Sequence, residues 1–491
     1  MMRRFARWML IAILAAAIGV GMLSSVVYAA GVVTSLADDG SSGTLRSMIA
    51  AAAPGDTITF QPGLTGTIML DTSLGTLSLT QNVTIQGPGA SSIAVDGRCL
   101  TCGAGGTPSG GITVFTLYNT VTSATISGLT IQHGNGGNSG AAGGIENFGA
   151  LLTVADCTVS GNSGGGVASA GGSLIVTGSA IASNATAGSG GGISASGGGS
   201  TVTVTNSTIS GNVASGGISY GGGGLNINSS ISMATLTNTI VKGNAATGVG
   251  GGIFSGSALT ITGGTIGGPT APDGNTAGGS GGGLFSSLIN NSGASLALTG
   301  VTVSHNTAND PAASSGGGGI SIALGSPTNA ATITNSTITA NTATDSASGA
   351  GGDGGGILNN GFDDGTNTSM TTITNSTITG NSAYDAGPTD HGSGGGIDNV
   401  SGTVNVVNST VAGNTANGGS GGLGGGIDNE DFLNLTGSTI TGNTAMNGLG
   451  GGVRIAPTGH STTTFITTTT ITNSTIVGNT VTGTGTVGLG G

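Results

Sequence analysis

Ile373-Thr374-Asn375-Ser376-Thr377-Ile378-Thr379-Gly380-Asn381 is followed, after a loop, by Gly395-Gly396-Ile397. An apolar residue stands two positions before Asn375, another three positions after it, and an Asn six positions after it. Followed in both directions, this frame occurs eleven times between residues 154 and 479. The copies are Val154/Asp156/Val159, Val176/Gly178/Ile181, Val204/Asn206/Ile209, Leu236/Asn238/Val241, Ile261/Gly263/Ile266, Leu298/Gly300/Val303, Ile333/Asn335/Ile338, Ile373/Asn375/Ile378, Val406/Asn408/Val411, Leu435/Gly437/Ile440 and Ile471/Asn473/Ile476. In ten of the eleven an Asn lies six positions beyond the centre. Every centre is Asn, Asp or Gly, the residues that tolerate a left-handed backbone. Each copy therefore reads as strand, tight bend, strand.

Alternate side chains of a strand point to opposite faces, so both flanking apolar positions turn inward. Successive centres lie 22 to 40 residues apart, yet the frame inside each copy never shifts. Fixed cores with variable spacers are the mark of a solenoid, whose insertions go to outward loops. Stacked at about 4.8 Å per coil, the copies build two aliphatic columns. A third wall comes from the residues that follow Gly-Gly: Ile145, Val167, Ile193, Leu225, Ile253, Leu284, Ile320, Ile357, Ile397, Ile427 and Val453. The expected fold is all-β, a parallel β-helix with three strands per coil. The recurring Asn residues suit internal ladders of stacked amides.

Composition agrees, with 105 Gly in 491 residues, 3% aromatics and 5% charged residues. Disorder is excluded by the β-branched residues at period two. Collagen is excluded because only 10 Pro occur and Gly has no three-residue period.

Residues 1–30 carry Arg3, Arg4 and Arg7, an apolar run from Trp8 to Val27, and the small-residue site Val27-Tyr28-Ala29-Ala30. This is the form of a secretory signal, so export to the exterior or the cell surface is expected. Its removal takes three cations and moves the formal charge from -12 to -12 - 3 = -15. Arg46, Arg98, Lys242 and Arg454 remain, too few for a nucleic-acid footprint. A membrane is expected as a partner only through the signal or an anchor beyond Gly491. Cys99 and Cys102 are a disulfide candidate after export. Cys157 follows a bend, in a slot where Ser stands in several other copies.

Between the signal and the repeats, Thr44 precedes a short helical stretch, Leu45 to Ala53, stopped by Pro54-Gly55. Strand segments follow at Asp56–Phe60, Gly66–Leu70 and Val83–Gly89. The expected division is thus residues 1–30 as signal, 31–98 as amino-terminal cap and first coils, and 99–491 as the repeat helix. A cap covers the unpaired edge of the first coil. No matching cap is read at the other end, where Gly488-Leu489-Gly490-Gly491 would open another coil.

The pattern resembles the right-handed β-helices of the pectin-lyase-like superfamily. Repeats such as Gly395-Gly396-Ile397 with Gly413-Asn414, and Gly425-Gly426-Ile427 with Gly442-Asn443, are similar to those of polymorphic outer-membrane proteins. Here Ile or Val replaces the aromatic that often starts the second motif of that group. The segment before the repeats looks like the amino-terminal cap of secreted bacterial β-helix proteins.

The position after each wall aliphatic should face outward, and there Asp398, Asp428 and Arg454 fall on consecutive coils. Stacked carboxylates raise a pKa, pair with Arg454 or hold Ca²⁺. Resemblance to pectate-lyase-like enzymes implies Asp398 and Asp428 as calcium ligands and Arg454 as base. The bland alternative is a solvated salt bridge. Asp363-Asp364, His391-Gly392 and Arg454-Ile455 follow the chain order of polygalacturonase motifs, without the Asn-Thr-Asp element. After loss of Trp8 no Trp remains, and Tyr118, Tyr220 and Tyr384 are scattered, which argues against a sugar cleft.

Thr-x-Thr pairs such as Thr203/Thr205, Thr235/Thr237, Thr332/Thr334, Thr372/Thr374 and Thr470/Thr472 resemble the columns of ice-binding β-helices. The β-propensity of Thr explains them equally. The favoured reading is a structural or adhesive scaffold that contacts a carbohydrate or cell-surface ligand through its loops. A Ca²⁺-dependent polysaccharide lyase and an ice or solid-surface binder are the alternatives.

Overall fold

The computed structural model describes residues 29–103, 109–137, 141–217, 221–310, 316–345, 352–385, 387, 391–456 and 468–483. The expected signal therefore lies almost wholly outside the described residues. Among those residues the chain is a right-handed parallel β-helix, and every pairing between named strands is parallel. The strands before the bends form a sheet of 15, from Ala29–Val33 to Thr468–Thr472. Those after the bends form a sheet of 14, from Gly66–Met69 to Thr475–Val477, and those after Gly-Gly a sheet of 13, from Leu77–Leu79 to Val453–Ile455.

All eleven expected bends are left-handed, with φ from 48° at Asn206 to 65° at Gly300. A left-handed residue also precedes most ladder asparagines, as at Gly380 (φ 64°) and Gly413 (φ 63°). Two reversals so close together turn the chain from one wall to the next. The frame extends one coil further upstream than expected, through Ile126, Gly128 (φ 62°) and Ile131.

Inward aliphatics such as Val204, Ile333, Ile373 and Ile397 are fully buried. In the coil Thr468–Thr482 the equivalent Ile471 and Ile476 are 48% and 41% exposed, because no described coil lies beyond them.

Asn162, Asn184, Asn212, Asn244, Asn275, Asn306, Asn341, Asn381, Asn414, Asn443 and Asn479 form one buried ladder. Each Nδ2 donates to the next Asn Oδ1 at 2.9–3.0 Å. The copy without an Asn at the regular spacing carries an inserted turn at Ala271–Asp273 and supplies Asn275 instead. Immediately after the ladder comes a fourth sheet of 10 short strands, from Ala185–Thr186 to Thr480–Thr482, which sequence periodicity did not reveal.

The cap is the helix Leu45–Ala51, whose Thr44 hydroxyl accepts from the Ser47 N–H. Arg46 pairs with Asp38 at 2.8 Å and donates to the carbonyls of Leu74, Gly75 and Thr76, so its charge is spent on holding the cap. Cys99 and Cys102 are joined in the structure, and Cys157 is buried after its bend, its N–H donating to Ser179 Oγ. No helix among the described residues is long and apolar enough to cross a membrane.

Candidate functional site

Three glycines open the third wall in most coils, for example Gly354-Gly355-Gly356, Gly394-Gly395-Gly396 and Gly424-Gly425-Gly426. The first of each is left-handed, with φ of 61°, 58° and 58°. A Cβ on Gly394 would lie 2.6 Å from Asp398 Cα, and one on Gly424 equally close to Asp428 Cα. Only Gly permits the chain to double back so tightly over its own wall.

The doubled-back residues pair from coil to coil, Gly316 with Asp353, Asp353 with Ser393, Ser393 with Leu423 and Leu423 with Leu449. They form a narrow ribbon outside the wall. Its carbonyls accept from the left-handed glycines: Gly354 N–H to Ser393 O at 2.8 Å, Gly394 N–H to Leu423 O at 2.8 Å and Gly424 N–H to Leu449 O at 2.9 Å.

This ribbon corrects the expectation of a solvated outer column. Asp398 is 2% exposed and Asp428 0%. The wall places Asp398 directly between Leu358 and Asp428, and Asp428 between Asp398 and Arg454. Arg454 Nη1 reaches Asp428 Oδ1 and Oδ2 at 2.9 and 2.8 Å, and Glu430 at 3.9 Å. The Asp428–Arg454 ion pair is present, with Asp428 buried and the Arg454 side chain 19% exposed.

Burial drives the Asp428 carboxyl up to about 6 despite Arg454, and Glu430 adds to the rise. Burial, then the charges of Asp353, Asp428 and Glu430, pushes Asp398 well above the ordinary range, with Arg454 opposing. Asp398 Oδ1 has no hydrogen-bond partner. Asp353, on the ribbon, is raised by burial and by Asp428, Glu430 and Asp385, while a hydrogen bond from Ser393 lowers it. Part of its surface meets solvent, which moderates that rise. Nearby, Asp345 and Asp385 pair in register on the fourth sheet, 2% and 1% exposed.

Sequence reading missed Asp345, Asp353 and Asp385, because they sit beside irregular loops rather than within the repeating frame. At the other end of the same column Glu146 is buried, accepts from the Ala142 N–H, and is pushed by burial up to about 7.

Among the described residues no three His, Cys, Asp or Glu are arranged to hold a metal ion. The polygalacturonase-like set is dispersed. Asp363 and Asp364 each accept backbone N–H groups within a turn after the strand Ile357–Asn360. His391 lies before the wall strand Ile397–Ser401 and contacts Gly421 O at 3.1 Å. Asp390, which the sequence places on a loop near the Asp398/Asp428/Arg454 column, lies outside the described residues.

No family model and no curated protein matches the chain. Among solved structures it overlaps parallel β-helix proteins. The A-module of mannuronan C-5 epimerase AlgE6 from Azotobacter vinelandii is 16% identical with a TM-score of 0.43, over 89% of this chain and 96% of that one. The Dettilon tailspike protein is 12% identical with a TM-score of 0.30, over 87% and 68%. PfbA, a surface adhesin of Streptococcus pneumoniae, is 12% identical with a TM-score of 0.27, over 89% and 88%.

Proposed function

We propose that this chain is an exported β-helix acting as a structural or adhesive stalk, with a carbohydrate or cell-surface ligand met by its variable loops. The observation that carries the reading is the burial of Asp398 and Asp428 beneath the ribbon, with Arg454 engaged on both oxygens of Asp428. A polymer cannot reach carboxylates so covered, and an arginine paired in this way is a poor base. Mature protein is incubated with a panel of polyuronides with and without Ca²⁺. No unsaturated product is expected, while retention on one or more immobilised glycans or cell surfaces is. Unsaturated products that disappear in Arg454→Ala would replace the stalk by a lyase.

A second reading is favoured by one specific feature. Thr177, Thr205, Thr237, Thr262, Thr299, Thr334 and Thr374 are direct neighbours on successive coils. Such an uncharged, evenly spaced hydroxyl row suits an ordered surface such as ice. Thermal hysteresis that is lost on placing Lys at Thr262 and Thr299 would establish it, and its absence in the parent protein would end it.

A further inference from the structure

We propose that the Cys99–Cys102 bridge is an exchangeable disulfide that oxidises exposed dithiols of an exported protein partner, taking the attack at Cys102 and releasing Cys99. The inference is independent of the stalk reading.

A staple and an exchange site differ in what the bridge holds and in which sulfur can be reached. This bridge spans three residues, and loop-closure stabilisation shrinks with the ring. Its loop is already anchored by other bonds. Buried Asp96 accepts from the Arg98 N–H at 2.7 Å and from Gln132 Nε2 at 2.9 Å, and meets His133 Nδ1 at 2.8 Å. The Cys99 N–H donates to His133 O at 2.8 Å, and the Leu100 N–H to Ser109 O at 3.0 Å. Gly103 packs on Gly161, where a Cβ would lie 3.3 Å from the Gly161 Cα. Opening the bridge therefore leaves both cysteines in place, and reclosure is intramolecular at high effective concentration.

The two cysteines are unequally accessible. Cys99 is 6% exposed, and Gly111 closes over it so tightly that a Cβ on Gly111 would lie 2.6 Å from Cys99 N. Cys102 is half-buried, and the residues before it, Leu100 and Thr101, are exposed, Leu100 by 84%. Exposed disulfides are the ones that exchange, and attack falls on the sulfur a thiolate can reach. Cys157 is buried, and burial pushes its thiol up to about 11, so it takes no part.

The exchange balances without a further reagent. A thiolate of the partner attacks Cys102 Sγ, the S–S bond to Cys99 breaks, and its electron pair leaves with Cys99 as thiolate. The partner's second thiolate then attacks the partner sulfur of this mixed disulfide, and Cys102 leaves as thiolate. The two protons shed by the partner pass through solvent to Cys99 and Cys102. The partner is oxidised to a disulfide by two electrons, and this chain is reduced by the same two.

Oxidised mature protein, mixed at neutral pH with a reduced synthetic peptide carrying two cysteines, tests the exchange. One peptide disulfide and two protein thiols per chain are expected, with the circular dichroism of the repeat coils unchanged. With glutathione disulfide as probe, Cys102 in Cys99→Ser should react at least about tenfold faster than Cys99 in Cys102→Ser, because only the accessible thiol is attacked readily. Absence of peptide oxidation by the folded protein, or thiols that appear only as the coils unfold, would overturn the proposal. Equal rates for the two variants would overturn the assignment of Cys102 as the attacked sulfur. If a variant does not fold, wild-type protein treated with reduced glutathione and quenched in acid decides: a mixed disulfide mapped to Cys102 is expected, and one mapped to Cys99 contradicts the proposal.

Discussion

Replacing Asn341 with Ala removes a side chain that makes four hydrogen bonds inside the ladder. Its Nδ2 donates to Val303 O and Asn381 Oδ1, both at 2.9 Å, and its Oδ1 accepts from Asn306 N at 3.0 Å and Asn306 Nδ2 at 2.9 Å. Asn381 Oδ1 keeps a donor in the Asn341 N–H, but the Asn306 N–H, one Asn306 amide hydrogen and one acceptor site on Val303 are stranded. At about 1–3 kcal/mol for each of these three buried groups left unsatisfied, the loss should be about 3–9 kcal/mol, nearer the lower end if water enters the space. Repeat arrays need not unfold in one step, so a single midpoint does not suffice. Hydrogen exchange should therefore be read coil by coil alongside thermal unfolding. Deprotection should centre on the coils of Asn306, Asn341 and Asn381 and fade toward either end. A loss below about 1 kcal/mol, the level of an ordinary substitution, would refute the claim that the ladder fixes the coils.

At Asn375, with φ of 49°, a change to Gly should be nearly neutral and a change to Val should cost about 1–3 kcal/mol in thermal unfolding. Glu146 contributes fully below about 4.5 and loses its contribution as the pH rises through about 7. Glu146→Gln should therefore flatten the fall in stability over that interval, as read from melting temperature against pH. Cys99 and Cys102 are three residues apart, and a ring that small limits the stabilisation to about 2 kcal/mol on loop-closure grounds. Reduction should accordingly leave the repeat coils folded by circular dichroism.

The coil was legible because its determinants are local. Asn375 at a left-handed bend, Ile373 and Ile378 on either side, and Asn381 at the next corner are a short stretch that repeats with little change. Thr44 as a helix cap was readable for the same reason. What escaped depends on chain reversal. Alternation correctly turned Ile397 inward and Asp398 outward, but "outward" was equated with solvent. The missed cue was the first glycine of Gly394-Gly395-Gly396, whose φ of 58° folds the preceding residues over the wall. Asp353 could not be placed from sequence because it sits on that ribbon, where no periodic apolar residue marks the register. The fourth sheet was equally hidden, since strands as short as Ala185–Thr186 carry no recognisable alternation.

The central claim is that each copy of the frame adds one coil, whatever the length of its loop. Spin labels on Thr177→Cys and Thr374→Cys, in a Cys157→Ser background, measure this directly. Six pairing steps separate these positions, so the distance should be about 29 Å at about 4.8 Å per coil. Labels at Thr205 and Thr334, four steps apart, should give about 19 Å. Narrow distributions at those two values are the predicted result. Broad distributions, or distances that follow the number of intervening residues instead of the number of coils, would contradict it.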